Sequence, residues 1–426
     1  MHFSKHSIVL FIILFCLFNC KNDDDTTNDT PISLTSNIEV YDADKIDNSL
    51  TLAVVKGAKY AFLVDKEGNK KYEWEFEDYL GNDLEIMPNG KLIGIFKDEN
   101  PQITFGGYGG TLKIINSDNT IAWEYTISSP DYISHHDIEM LPNGNVLFLV
   151  WEKMEEAIAE QNGAVSSGTI YPEKLIEINP NTNQIVWEWR SWDHIIQDND
   201  SSFPNYGVVS ENPQLININY NTAPNGDIMH ANGIDYDNTK DVIFISINFF
   251  NEIWVIDHST STLEASTHSG GNYNKGGDLI YRFGNPLAYD NLQGEKRFDR
   301  NHFPNLLEDG VPGEGNLLVY VNGKSENKSK IYELELPEIF NLLPNTDNEP
   351  LVAWEFQNEA LYDDNISGAV RLENGNTLIC EGDYGIWEVT PDKEVVWKYN
   401  NFGEELWRCY NYAVNAEELS YYNLMD

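Results

Sequence analysis

The chain has 426 residues, of which 41% are hydrophobic and 12% are aromatic, so it can bury a large core. Its formal net charge of −42 repels the phosphates of nucleic acids and the anionic faces of membranes, which argues against a nucleic-acid partner and against direct membrane binding. Aromatic residues favour strands, so an all-β fold is expected, in one large domain or two ordinary ones.

The first predicted element is a targeting segment. An apolar run over residues 8–18 is too short to span a bilayer comfortably and is followed by a cysteine. The sequence LFNC that ends at Cys20 resembles the lipobox of bacterial lipoproteins. This resemblance implies a signal peptide over 1–19, lipid attachment at Cys20, and export to the outer membrane, at the cell surface or on the periplasmic face. Asp, Asn and Thr dominate the next residues, which predicts a flexible tether over 20–40.

Two repeated patterns run through the rest of the chain, the predicted propeller domain 41–426. Six segments combine two aromatic residues around a polar one, and they begin at Trp74, Trp123, Trp187, Tyr281, Trp354 and Trp397. Most of them follow an apolar strand and a tight turn, so each predicts a hairpin. The PNG, ENG and EDG segments are further hairpin turns that lead into apolar strands. The chain therefore contains six units of about four strands, at roughly 60 residues each.

A sheet-forming repeat of this kind removes its edges by closing into a ring. The repeats therefore predict a six-bladed β-propeller with long loops between strands. A pair of β-sandwich sheets is the alternative, and it explains the six-fold recurrence poorly. The longest interval, between Trp187 and His230, predicts one long insertion, and the best helix candidate lies over 152–161 as a lid or a packed loop.

Three histidines occupy matching places in the repeat. Aligning the segment that begins at His136 with the segments at His230 and His302 puts three imidazoles at one structural position. Equivalent positions of the innermost strands converge on the central channel of a propeller. The residues predicted to meet there are Asn82, His136, His230, His302, Ser367 and Tyr410. Such a ring suits an anion with several oxygens, and it does not suit glycoside hydrolysis, which needs two facing carboxylates.

Other chemistries have weaker support. Three imidazoles suffice for catalytic zinc, so a metal-dependent hydrolase of sulfate or phosphate esters stays open, although no HxH or HExxH spacing is present and no metal is assigned. The glycine-rich segments 106–110 and 269–277 lack phosphate-loop spacing and are expected to be bulges or turns. Residues 192–194, WDH, are expected to form a structural loop. Cys380 and Cys409 are able to pair in an oxidising compartment.

Several longer segments together carry a resemblance to a known family. These segments are HHDIEMLPNGNVLFLVWEK, WEWRSWDHIIQDNDSSFPNYGVV, MHANGIDYDNTKDVIFISINFFNEIWVIDHST, GGDLIYRFGNP, NHFPNLLEDGVPGEGNLLVYVNG and SGAVRLENGNTLICEGDYGIWEVTP. They resemble the bacterial arylsulfate sulfotransferases, six-bladed propellers that transfer a sulfuryl group from one phenol to another without the nucleotide sulfate donor. The resemblance runs from about Thr51 to Tyr412 and implies small aryl sulfates and phenols as substrates, with no cofactor.

The resemblance also implies roles for individual residues. By position, His302 corresponds to the histidine that is transiently sulfated, which predicts ping-pong kinetics. His136, and His230 together with Asn232, correspond to the residues that hold the sulfuryl oxygens and assist the leaving group. Aromatic residues such as Tyr410 and Trp407 are expected to sandwich the aryl ring.

The chain departs from the family pattern near the predicted nucleophile. Asn248 stands where better-known members have an arginine that clamps the anion, and it is expected to donate to one sulfuryl oxygen instead. Phe303 replaces a usually polar residue, and Asn301 replaces a frequent glutamine. Arg282, Arg408 or a lysine from a loop is expected to replace the missing charge. These departures keep a non-catalytic propeller that binds a sulfated or phenolic ligand as the alternative function.

Overall fold

The computed structural model describes residues 33–425, and the regular secondary structure over this range is mostly β-strand. The strands are β1 (Ile38–Tyr41), β2 (Ser49–Val55), β3 (Tyr60–Val64), β4 (Lys70–Glu75), β5 (Leu80–Ile86), β6 (Leu92–Lys97), β7 (Gly110–Ile115), β8 (Ile121–Thr126), β9 (Tyr132–Met140), β10 (Val146–Glu152), β11 (Glu173–Asn179), β12 (Gln184–Arg190), β13 (Ile195–Ile196), β14 (Ile216–Asn217), β15 (Ala231–Asp237), β16 (Val242–Ile247), β17 (Glu252–Asp257), β18 (Tyr281–Phe283), β19 (Asn301–Leu306), β20 (Leu317–Val321), β21 (Lys330–Glu335), β22 (Leu351–Gln357), β23 (Gly368–Arg371), β24 (Thr377–Glu381), β25 (Gly385–Val389), β26 (Val395–Asn400) and β27 (Leu406–Ala413). The helices are α1 (Glu156–Gln161) and α2 (Thr262–Ala265), with 3-10 helices at Ser191–His194, Val209–Glu211, Pro286–Tyr289 and Glu417–Tyr421.

Six antiparallel sheets form the six blades of a propeller, as the repeats predict. Blades 2 to 6 are β5–β8, β9–β12, β15–β18, β19–β22 and β23–β26, and blade 1 is β2–β4 with β27. Each blade has its innermost strand beside the central channel. The innermost strands are β27, β5, β9, β15, β19 and β23.

The ring closes through both ends of the described chain. The last strand, β27, pairs with β2 and completes blade 1 from the C-terminal side. The first strand, β1, pairs with β26 and adds a fifth strand to blade 6. These two pairings cover sheet edges that would otherwise be exposed. Because β1 begins at Ile38, the propeller reaches into the range 20–40 that was predicted as tether, and β1 takes part in the blade because its backbone pairs with that of β26.

The predicted signal peptide 1–19 and the lipid site at Cys20 lie outside the described residues. Within residues 33–425, none of the helices combines the length and the apolar character that crossing a bilayer requires.

The repeated aromatic motifs lie on the fourth strand of each blade, counted from the channel, and four of their indoles join neighbouring blades. Trp187 Nε1 in blade 3 donates to Thr260 Oγ1 in blade 4 at 3.2 Å. Trp397 Nε1 in blade 6 donates to the Lys66 carbonyl in blade 1 at 2.7 Å. Trp123 and Trp354 make equivalent bonds to the blade that follows each of them. In these four blades the motif therefore provides the same attachment to the next blade, whereas Trp74 Nε1 has no hydrogen-bond partner among the described residues.

The irregular parts of the fold agree only partly with the sequence prediction. The long insertion between β12 and β15 contains the parallel pair β13–β14, and α1 covers only the second half of the predicted helix 152–161 because β10 continues to Glu152. Cys380 and Cys409 are both buried free thiols.

Candidate active site

The candidate site lies where the innermost strands of three adjacent blades begin. His136 is in β9, His302 is in β19, and His230 directly precedes β15. A register shift interrupts each of these strands near its histidine. His136 and His230 have left-handed backbones, with φ of 56° and 54°. Bulges and left-handed residues re-aim side chains, and both cluster at functional sites.

The three predicted histidines lie together. The rings of His136 and His230 have centroids 4.7 Å apart and are nearly perpendicular. Burial lowers the pKa of His136 well below 6.5, and the charges of His230 and His302 lower it further. Burial and the charge of Arg408 lower the pKa of His302 to about 3. His136 and His302 are therefore neutral imidazoles at neutral pH.

The tautomer of His302 is determined by Asn322. The Asn322 Nδ2 group donates to the carbonyls of Asp363 and Ile366 at 2.8 and 2.9 Å, so its Oδ1 faces His302 Nδ1 at 2.6 Å. An amide oxygen only accepts, and His302 Nδ1 must therefore carry the hydrogen. The lone pair of a neutral His302 is consequently on Nε2, which makes no hydrogen bond to any described residue.

His230 is oriented by Asp227. Its Nδ1 atom lies 2.5 Å from Asp227 Oδ2, and this carboxylate is almost fully buried. The His230 ring stacks on Phe249, with centroids 4.7 Å apart and an interplanar angle of 9°. The carboxylate keeps the hydrogen on Nδ1, so Nε2 of His230 is also free of hydrogen bonds within the described chain. The motif NGDIMH contains both residues, but its spacing alone did not identify Asp227.

His136 is the end of a buried relay. Its Nδ1 lies 2.9 Å from His135 Nδ1, and His135 Nε2 lies 3.0 Å from Glu173 Oε2. Burial raises the pKa of Glu173 well above 4.5 and lowers the pKa of His135 well below 6.5. All three groups are then neutral, which requires Glu173 to donate to His135 and His135 to donate to His136. This arrangement leaves a hydrogen on His136 Nε2.

A glycine segment covers His136. A Cβ atom on Gly107 would lie 2.1 Å from His136 Nε2, and Gly107 has φ of 85°, so only glycine fits there. The backbone of segment 106–110 therefore lies close to the site, and the segment also forms the expected turn. Asn82 donates to the Gly107 carbonyl and holds this segment. Ser367 Oγ accepts from the Gly382 amide at 3.0 Å, so its hydroxyl is used within blade 6.

The predicted sulfate-binding amides hold the backbone beside His302. Asn232 Nδ2 and Asn248 Nδ2 donate to the Asn301 carbonyl at 2.9 and 3.1 Å. The free Asn248 oxygen accepts from Arg300 Nη1 at 3.1 Å. These amides therefore position the residue before His302, a role the sequence did not indicate. Asn248 also connects the site to a guanidinium that was not predicted.

One of the two candidate arginines reaches the site. Arg408 is fully buried with its Nη1 3.5 Å from Asp137 Oδ2, donates to the Asn232 carbonyl at 2.9 Å, and lowers the pKa of His302 and His136 through its charge. Arg282 was the other candidate, and its guanidinium is instead bonded to Glu252 in blade 4 and to two carbonyls of the insertion before β15.

An acidic cavity of about 640 Å³ lies further along the channel. Its carboxylates are Glu85, Asp137, Glu139, Asp235, Glu308, Glu373 and Glu418. Phe303 lines the cavity, and its ring lies 3.9 Å from the Arg408 guanidinium carbon. Tyr410 lines the same cavity and donates to Asp83 at 2.6 Å. Tyr410 is therefore a wall of the acidic cavity, whereas Trp407, with its ring 5.6 Å from that of His136, is the β27 residue beside the histidines.

The zinc alternative has a geometric requirement that the three histidines do not meet. A metal needs several ligand atoms that converge on one point. Among residues 33–425, only His194, His268 and Asp278 form such a group, with ligand atoms within 4.8 Å of one another.

Comparison with protein families gives one match that spans the propeller. The family model described as "Arylsulfotransferase (ASST)" matches residues 35–415. No protein among the curated ones matches the chain.

Solved structures with a similar chain path share little sequence with this protein. A protein of unknown function from Bacteroides caccae has a TM-score of 0.49 at 12% identity, over 86% of this chain and 99% of that one. Hydrazine synthase from Kuenenia stuttgartiensis has a TM-score of 0.38 at 12% identity, over 70% and 71% of the two chains. The Dos1 propeller has a TM-score of 0.36 at 9% identity, over 81% and 66%.

Proposed function

The chain belongs to the arylsulfotransferase family, and on this premise we propose that it transfers a sulfuryl group from an aryl sulfate to a phenol through a sulfated His302. Family membership supports aryl sulfotransferase activity and small aryl sulfates and phenols as substrates. The covalent step is our proposal. The observation that carries it is the Asn322 oxygen at His302 Nδ1, which leaves a lone pair on Nε2 of a neutral ring.

In the first half-reaction, His302 Nε2 attacks the sulfur atom of the donor. The bond from sulfur to the aryl oxygen breaks, and its electron pair leaves on the phenolate oxygen. His136 Nε2 protonates this oxygen, since a phenol with a pKa near 10 leaves more easily with a proton. His135 then donates a proton to His136, and Glu173 donates its own proton to His135 and becomes a carboxylate. His302 keeps its Nδ1 hydrogen, so the positive ring balances the charge of its SO₃ group.

The second half-reaction reverses these proton movements. The acceptor phenol gives its proton to His136 Nε2, and the relay returns a proton to Glu173. The acceptor oxygen then attacks sulfur, and the bond between sulfur and His302 Nε2 breaks. The low pKa of His302, about 3, makes the imidazole a good leaving group in this step.

Positive charge at the site opposes the acidic character of the whole protein. Arg408 is buried next to the histidines, and Arg300 lies over Phe249 with its guanidinium carbon 4.4 Å from the ring centre. Both charges contribute to lowering the pKa of His302, so their potential reaches the sulfur-accepting ring. A preorganised donor or charge of this kind is commonly worth about 3 kcal/mol in the transition state.

Incubation with donor alone tests the proposal. Mass spectrometry of the protein after exposure to 4-nitrophenyl sulfate should find one added SO₃ group on the peptide that contains His302. The His302→Ala variant should lack both the adduct and nitrophenol release. Ligand-induced thermal stabilisation without turnover would instead favour a non-catalytic binder, and activity that disappears with a chelator would favour a metal-dependent hydrolase.

We further propose that the protein is exported and anchored to a membrane only through a lipid on Cys20. The support is the LFNC sequence and the acidic residues behind it. A Cys20→Ala variant should move from the membrane fraction to the soluble exported fraction. Equal membrane association of variant and wild type would refute the anchor.

A further inference from the structure

A second cluster of titratable residues lies away from the three catalytic histidines. His194 ends the 3-10 helix that follows β12 in blade 3, and His268 and Asp278 lie in the loop between α2 and β18 in blade 4. We infer that these three residues form a binding site for a divalent transition-metal ion of the zinc class, and that the ion joins blade 3 to blade 4.

The geometry converges on one carboxylate oxygen. His194 Nδ1 lies 2.9 Å from Asp278 Oδ1, and His268 Nδ1 lies 2.7 Å from the same oxygen. The two imidazole rings are nearly perpendicular, with centroids 5.7 Å apart. All three ligand atoms lie within 4.8 Å of one another, so a small shift of each places them around one ion.

The hydrogen bonds of His194 point to a cation at this position. His194 Nε2 lies 2.8 Å from the Ala265 carbonyl, which only accepts, so Nε2 carries a hydrogen. The other ring nitrogen, Nδ1, faces Asp278 Oδ1 at 2.9 Å, so an ion between them would have both atoms as ligands. A metal-ligating histidine characteristically donates its other N–H to a carbonyl or carboxylate, as His194 does here.

The surroundings hold two ligands rigidly and leave the third accessible. His194 and Asp278 are buried, whereas the His268 side chain is 63% exposed and gives an ion a route into the site. The Trp189 ring lies parallel to His194, and its Nε1 donates to the Gly277 carbonyl at 2.7 Å. A Cβ atom on Gly277 would lie 2.4 Å from His194 Nε2, so the loop depends on glycine at this place.

The donor set selects the class of ion. Two imidazoles and one carboxylate suit zinc and its neighbours in the first transition series, and they do not suit calcium or magnesium, which prefer oxygen. Three protein ligands leave a fourth position for water. Because the ligands come from adjacent blades, binding stabilises the outer parts of blades 3 and 4 against separation.

Titration of the purified full chain with Co²⁺ and Zn²⁺ tests the inference. We expect one equivalent of Co²⁺ to give the visible absorption of a tetrahedral site, Zn²⁺ to displace it, and Zn²⁺ to raise the Tm by several degrees. His268→Ala should abolish all three signals, and its Tm in chelator should equal that of wild type because His268 is exposed. Ser269→Ala, an exposed neighbour, should behave like wild type. Absence of binding, or binding that persists in His268→Ala, would overturn the inference.

Discussion

The hydrogen-bonded relay from Glu173 through His135 to His136 leads to a prediction for the variant Glu173→Gln. The glutamine amide matches the shape of the acid: its oxygen accepts from the Ala231 amide, as Glu173 Oε1 does at 2.7 Å, and its nitrogen donates to His135 Nε2. The hydrogen-bond pattern that leaves a hydrogen on His136 Nε2 is therefore preserved. An amide nitrogen cannot give up its proton, however, so the variant lacks the proton that must follow the leaving phenol.

The magnitude follows from the step that is lost. A positioned general acid contributes about 10²–10⁴-fold. We expect kcat/KM for phenyl sulfate to fall by at least about 10²-fold, which corresponds to about 2.7 kcal/mol of transition-state stabilisation. The loss should be much smaller for 4-nitrophenyl sulfate, because nitrophenolate leaves without a proton. KM should change little, since Glu173 is buried behind His135.

Steady-state kinetics with the two donors measures this difference. Glu177→Gln is the matched control, because Glu177 lies on the same strand and bonds His258 instead of the relay. Equal losses for both donors would refute the relay and indicate a structural role for Glu173. An undiminished rate with phenyl sulfate would refute general acid catalysis through His136.

Three further predictions concern the nucleophile, the blades and pH. Asn322→Leu removes the acceptor that keeps the hydrogen on His302 Nδ1, so kcat/KM and the yield of sulfated His302 should fall by about 10²–10⁴-fold. A kcat/KM equal to that of wild type would contradict the assigned tautomer of His302. Trp397→Phe removes the hydrogen bond to the Lys66 carbonyl while keeping an aromatic ring, so the free energy of unfolding, measured with denaturant, should fall by about 1–3 kcal/mol. An unchanged free energy of unfolding would contradict a stabilising role for this bond between blades. Burial raises the pKa of Glu85 to about 7 and of Asp235 to about 8, so these acids stabilise the fold fully below their unfolded pKa near 4 and lose this contribution as pH rises through 7–8. The Tm should therefore fall as the pH rises from about 4 to about 8 and should level off above that range. Asp235→Asn should flatten the decline, and an equally steep decline in the variant would contradict the raised pKa of Asp235.

The sequence predicts those parts of the molecule that every blade repeats. Trp123, Trp187, Trp354 and Trp397 each donate to the next blade in the same way, and with Trp74 and Tyr281 at the equivalent positions their spacing reveals six blades. The three histidines share this periodicity and were found through it.

The partners of the histidines could not be predicted in this way. Asp227, Glu173 and Asn322 are not part of the repeated pattern, and each contacts its histidine from a different part of the fold. The repeat therefore does not reveal them. Tyr410 was misplaced for a different reason. His136 follows Trp123 by 13 residues, whereas Trp407, the β27 ring beside His136, follows Trp397 by only 10, so the same count from the Trp motif passes beyond Trp407 to Tyr410.

Phe303 has a consequence for the order of events. Its ring packs against Gly368 from β23 and Arg408 from β27, and its backbone lies against Gly233 from β15, so Phe303 lies between the innermost strands of the channel. We infer from this position that a molecule that reaches His302 enters and leaves through the same end of the channel. The first phenol must then leave before the acceptor phenol binds. In the mechanism that we propose, the sulfuryl group stays on His302 during this exchange.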